Sequence, residues 1–150
     1  MMPSQTFESG SARATEQFAA RLAPRLKPGD VLGLVGDLGA GKTCFVRGLA
    51  RGLGVPADIP VTSPTFTMMN EYMGQLAIYH FDWYRVSDVE ELEAMGYRDF
   101  VGGDGIAVIE WADRVPSALP AQYIRIDIGL EPDPNRRLIE LQCMSPNPRV

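Results

Sequence analysis

The sequence predicts an α/β domain, with a mostly parallel central sheet flanked by helices and antiparallel strands added at one side. Three observations predict it. Residues 31–35 form a short unbroken apolar run, as a strand buried on both faces requires. A glycine-rich stretch, 36–41, follows at once and a helical pattern starts at Lys42. Further short apolar runs then come with helical segments between them.

Taken in order, residues 4–8 are a candidate strand. Residues 12–23 read as a helix, with Phe18 and Leu22 four apart on one face. Pro24 ends or kinks it, because a proline inside a helix loses a hydrogen bond and clashes with the preceding turn. Pro28-Gly29-Asp30 is a turn into the strand 31–35. The helix from Lys42 runs to about Leu53, with Val46, Leu49 and Leu53 on its inner side and Gly54 placed to close it. Residues 56–64 are a loop, and 65–72 and 76–81 are two strands joined by a turn at Gly74. Ser87 and Glu90 have capping-box spacing. The helix they start turns Val89, Leu92 and Met95 inward and stops at Gly96. Residues 106–109 are another apolar strand, and 123–128 and 138–141 are later strands, candidates for a hairpin. Residues 1–144 are expected to form one domain, and 145–150, with two prolines, a loose tail.

Composition narrows the function. The 150 residues are 45% hydrophobic and 22% charged, as in an ordinary globular domain. Fourteen Lys and Arg against nineteen Asp and Glu leave a net charge of −5, with no basic run. A domain built to hold nucleic-acid phosphates is usually basic, so autonomous tRNA or DNA binding is disfavoured. A role inside a complex whose other members carry the basic surface is not. Cys44 and Cys143 make neither a disulfide framework nor a zinc site and read as two reduced thiols in or near a core. Residues 1–11 hold no apolar stretch, and no run reaches the roughly eighteen apolar residues of a membrane span. A cytoplasmic protein is therefore expected.

The segment Gly36-Asp37-Leu38-Gly39-Ala40-Gly41-Lys42-Thr43 fits G-x-x-x-x-G-K-[ST] at every fixed position. Phosphate oxygens must be met by several backbone N–H groups at once, and side chains would block that approach. Glycines permit the close contact and the unusual backbone angles. Asp37, Leu38, Gly39, Ala40 and Gly41 thus supply the cradle, and the following helix points its partial positive end at the anion. Lys42 reaches the β and γ phosphates, and the Thr43 hydroxyl is a candidate Mg²⁺ ligand. A buried strand before the loop and an amphipathic helix after it are the context this motif demands. The expected ligand is a nucleoside triphosphate with Mg²⁺ on a P-loop NTPase-like fold.

Phosphoryl transfer also needs acids to hold the metal and place the attacking group. Glu110 follows the apolar run 106–109, and Asp82 follows 77–81, so both sit where open α/β sheets bind ligands. Glu110 is favoured on the Mg²⁺ side, directly or through water. Asp82 is favoured for orienting the attacking water or a metal-bound water. The plainer reading of either is a solvated or capping carboxylate. Ser63-Pro64-Thr65 is either a γ-phosphate sensor or a plain turn. His80, the single histidine, suits a structural role better than a catalytic one. Trp83 and Trp111 flank the two acids; packing is their ordinary use, and a nucleotide contact by Trp111 is the alternative.

GDLGAGKT, TSPTF at 62–66, HFDWYR at 80–85 and the pair Glu110-Trp111 together resemble the bacterial TsaE (YjeE) family, in order and in spacing, over about residues 15–141. The resemblance implies a cytoplasmic ATPase that supports threonylcarbamoyladenosine formation in tRNAs reading codons that begin with A. It implies TsaB and TsaD as protein partners, with tRNA met only indirectly. ATP would be hydrolysed to ADP and phosphate, slowly by the chain alone and faster with the partners. It makes Thr43 and Glu110 the Mg²⁺ ligands, Lys42, Asp82 and Glu110 the catalytic set, and Trp111 a functional position. Thr15 and Arg137 match family positions bordering the nucleotide. Cys44 departs from the threonine common after the motif threonine.

Other classes fit less well. A small-molecule kinase needs an arginine-rich lid, and 88–104 holds only Arg98. A GTPase needs an N/T-K-x-D segment, which does not occur. A nucleotide-regulated binding module without turnover shares every motif with a slow ATPase.

Overall fold

The structure, a computed structural model, describes residues 3–37, 39–64 and 66–145. Leu38, Thr65 and most of the expected tail, 146–150, lie outside the described residues. The strands are β1 (Gln5–Ser9), β2 (Val31–Val35), β3 (Met69–Met73), β4 (Ala77–Asp82), β5 (Ile106–Glu110), β6 (Tyr123–Leu130) and β7 (Arg137–Met144). The helices are α1 (Ala12–Leu22), α2 (Lys42–Gly52) and α3 (Val89–Ala94), supplemented by single 3₁₀ turns.

All seven strands share one sheet in the order β1-β7-β6-β2-β5-β4-β3. The four central strands, β6, β2, β5 and β4, run parallel. Antiparallel strands lie at both edges, β3 on β4 at one and the β6–β7 hairpin with β1 at the other, where the sequence predicted them at one side. The apolar runs of the central strands explain their position. Ile106 to Glu110 is buried at every residue, which only a strand covered on both faces permits.

Strand alternation divides the core into two layers. Ile78, Ile106 and Val108 face one side with α1 and α2, while Tyr79, Phe81, Ala107 and Ile109 face the other with α3 and the turns after β5. The first layer depends on a close helix contact. A Cβ on Gly48 would lie 2.2 Å from the Glu16 carbonyl oxygen, and one on Gly52 would lie 2.6 Å from that of Ala20. Glycines four apart thus open a groove along α2 that admits the α1 backbone. The apolar pattern of α2 did not single them out.

Several boundaries move from their expected places. β3 starts at Met69 rather than at 65, because Met68 adopts φ 67° and its N–H closes a turn onto the Pro64 carbonyl. The α3 cap is Asp88 rather than Ser87: its carboxylate accepts from the Glu91 N–H at 3.1 Å. Glu91 reaches back to the N–H of Ser87, the residue before the cap, so the return bond of the expected box closes one residue outside it. Glu110 and Arg137 are the last residue of β5 and the first of β7, inside the ladder rather than beside it. Among the described residues no helix is long and apolar enough to cross a membrane.

Candidate functional site

The loop from Gly36 to Gly41 leaves the C-terminal end of β2 and enters α2. Gly39 and Gly41 take φ 79° and 106°, in the left-handed region that side chains disfavour. At Gly36 a Cβ would lie 2.5 Å from the Ile128 carbonyl oxygen, so the loop passes hard against β6. The Phe45 N–H bonds the Gly41 carbonyl at 3.0 Å, the first i→i−4 bond of α2. Amides earlier in that turn have no acceptor within the helix.

Lys42 folds back into this loop. Its Nζ donates to the carbonyls of Gly36 at 2.6 Å and Asp37 at 2.9 Å, and lies 4.1 Å from the centre of the Trp111 ring. Burial pushes the ammonium below the ordinary lysine range, while the Glu110, Asp82 and Asp37 carboxylates pull it the other way. Trp111 sits at φ 60°, a left-handed conformation costly for a bulky residue, and its ring also meets Tyr84 at 4.8 Å. Trp83, by contrast, is fully buried in the core.

The two candidate acids end adjacent strands and stand opposite each other in register. Both are buried, Asp82 at 5% exposure and Glu110 at 3%. The Thr43 hydroxyl donates to Glu110 at 3.0 and 3.2 Å, and His80 Nε2 lies 2.6 Å from Glu110 Oε2. Asp82 accepts from the Ser63 hydroxyl at 2.6 Å and from the Tyr84 N–H at 2.8 Å. Lys42, Thr43, Ser63, Asp82, Glu110 and Trp111 therefore line one cleft of about 430 Å³. Thr43 and Glu110 offer hard oxygen donors at the mouth of the loop, which suits Mg²⁺ with its preference for one or two protein oxygens beside phosphates.

A second cleft of about 530 Å³ flanks the loop on its other side, between the start of α1 and the β6–β7 turn. Thr15 and Arg137 both line it. Thr15 is buried and shares a 2.7 Å hydrogen bond with Ser9. Arg137 spans the cleft floor, donating to the carbonyls of Gly39, Ala40 and Pro134. Cys44 is half-buried and borders both clefts, its thiol 3.2 Å from the Ala12 carbonyl; burial and Glu16 push its pKa up. A larger cavity of about 600 Å³ lies at the opposite end of the sheet, around Val31 and Ile124, and none of the candidate site residues lines it.

The expected site residues that the structure describes thus gather around one loop. Sequence reasoning missed the Ser63–Asp82 and His80–Glu110 contacts and the Arg137 brace. Period-two alternation held one signal: His80 and Asp82 are two apart on β4 and share a face.

The profile of the family described as "Threonylcarbamoyl adenosine biosynthesis protein TsaE" matches residues 9–138. The chain is 43% identical over 130 residues to a Treponema pallidum protein named tRNA threonylcarbamoyladenosine biosynthesis protein TsaE, covering 87% of this chain and 95% of that one. A Bacillus subtilis protein of the same name is 43% identical over 125 residues, 83% and 77% of the two chains. The crystal structure of Bacillus subtilis YdiB superposes with a TM-score of 0.82 at 34% identity, covering 97% of this chain and 88% of the other.

Proposed function

The chain belongs to the TsaE family, and from that premise we propose that it hydrolyses ATP in support of threonylcarbamoyladenosine formation on tRNA. Its protein partners in this reading are TsaB and TsaD, and tRNA is met only through them, in keeping with a net charge of −5. The observation that carries the reading is the convergence of a phosphate loop, Lys42, Thr43 and two buried strand-end acids on one cleft.

Each residue then has a task its geometry supports. The loop amides and the α2 N-terminus receive the polyphosphate. Lys42 exchanges the Gly36 and Asp37 carbonyls for β- and γ-phosphate oxygens, trading neutral acceptors for charged ones. Thr43 and Glu110 hold Mg²⁺, which when bound neutralises charge on the phosphates. Asp82 orients the attacking water, its carboxylate fixed by the Ser63 hydroxyl and the Tyr84 N–H. Trp111 closes the cleft over Lys42. In the segment that a kinase would use as a lid, the one arginine, Arg98, pairs with Glu93 of the same segment at 2.8 Å.

ATP turnover by the purified chain, alone and with TsaB and TsaD, tests this. Slow hydrolysis alone and faster hydrolysis with both partners is expected. Indifference to the partners, with phosphate passed to a metabolite, would favour a small-molecule kinase instead.

A further inference from the structure

His80 is fully buried, yet among the described residues its Nδ1 meets no hydrogen-bond partner. A buried polar atom left unpaired costs free energy, and an apolar side chain would fill the same space without that cost. Filling the core therefore does not account for an imidazole here. What the imidazole adds is its other nitrogen, 2.6 Å from Glu110 Oε2. Glu110 accepts when ionised, so the ring carries its proton on Nε2 and donates it.

We propose that His80 is the positioning residue for Glu110, pinning Oε2 so that Oε1 stays presented to the cation beside Thr43. The proposal rests on the nucleotide-site reading above. A glutamate has three side-chain torsions and sweeps a wide arc unless held. The Thr43 hydroxyl alone does not hold it, since it reaches both oxygens at similar length, 3.2 Å to Oε1 and 3.0 Å to Oε2. A hydroxyl that also serves the cation must in addition turn its lone pairs away from Glu110. His80 is different: it lies on β4 beside β5, backed by the sheet, and contacts one oxygen only. Outer partners of this kind are hydrogen-bonded to a ligand carboxylate and fix which way its oxygens point.

The test measures ADP affinity by calorimetry with Mg²⁺ and with EDTA, in the wild type and in His80→Phe, which keeps a ring but removes the donor. The expected result is unchanged affinity in EDTA and a loss of about 10–100-fold in the affinity of Mg²⁺ for the ADP complex. His80→Gln, which keeps an N–H donor, should recover part of that loss. In a Glu110→Ala background, His80→Phe should change nothing further, because it acts through that carboxylate. If His80→Phe does not fold, His80→Leu carries the same comparison. An unaltered Mg²⁺ response, or an equal loss with and without Mg²⁺, overturns the proposal. A wild type whose ADP affinity ignores Mg²⁺ removes the metal reading of Thr43 and Glu110, and this proposal with it.

Discussion

The Thr43 hydroxyl donates to Glu110 Oε2 at 3.0 Å across 67 positions of sequence, joining the first turn of α2 to the end of β5. The pair puts two oxygen donors side by side at the phosphate loop. Glu110→Ala should therefore weaken nucleotide binding in Mg²⁺ by at least about ten-fold and binding in EDTA far less. Calorimetric titration of ADP under both conditions measures the difference. Equal losses would take Glu110 out of the metal role.

Among the described residues the Lys42 ammonium bonds the loop carbonyls and lies over the Trp111 ring, outside the two core layers, so its removal leaves the core intact. Lys42→Ala should cut ATP turnover by about 10²–10³-fold, the usual effect of losing a charge aimed at the transition state. The melting temperature should stay close to wild type. A large fall in melting temperature would mean that the loop needs the lysine to fold, and the kinetic loss could not then be assigned to chemistry.

Asp82 is held at both oxygens, by Ser63 and by the Tyr84 amide. Asp82→Asn keeps the shape but removes the charge that orients a water. It should lower kcat by about 10²-fold with ADP affinity nearly unchanged. Ser63→Ala removes one of these hydrogen bonds and should give a smaller loss in kcat. If both variants instead raise KM alone, Asp82 serves binding rather than hydrolysis.

Arg137 braces the phosphate loop from outside, with Nε on the Ala40 carbonyl at 2.9 Å and a second nitrogen on that of Gly39 at 3.0 Å. A lysine cannot reproduce this fork, because its ammonium is a single point of donation. Arg137→Lys should weaken ATP binding nearly as much as Arg137→Ala. Recovery in the lysine variant would show that charge toward the nucleotide, rather than the brace, is what matters.

Gly48→Ala tests the helix contact. Alanine gains about 0.8–1 kcal/mol of helix propensity, but its Cβ would lie 2.2 Å from the Glu16 backbone oxygen. Overpacking against backbone costs about 1–3 kcal/mol or more, so the clash outweighs the gain. Thermal unfolding should shift down by several degrees. A rise in melting temperature would show that α1 is free to move away.

Much of the site was open to reading in the sequence because its signals are local. The glycines, Lys42 and Thr43 are contiguous, and backbone geometry around a phosphate dictates their spacing. Asp82 and Glu110 were found because an apolar run ending in an acid marks the C-terminal end of a buried strand. His80 was read as structural because its partner lies 30 positions away on another strand. The Ser63–Asp82 bond was hidden for the same reason, crossing 19 positions. The start of β3 was missed because the residue pattern continues back to 65, while the chain turns out of the strand at Met68, a residue that ordinarily avoids positive φ.

Chain order and composition thus settled the element types, the parallel core and the glycine-rich loop between β2 and α2, since each depends on neighbours within a turn or a strand. The folded chain settled which side chains meet: the pairing of Thr43, His80 and Glu110, the grip of Arg137 on the loop, and the passage of α1 over Gly48. Those contacts depend on strand order and helix approach, which arise from the packing of the whole sheet and which no local stretch encodes.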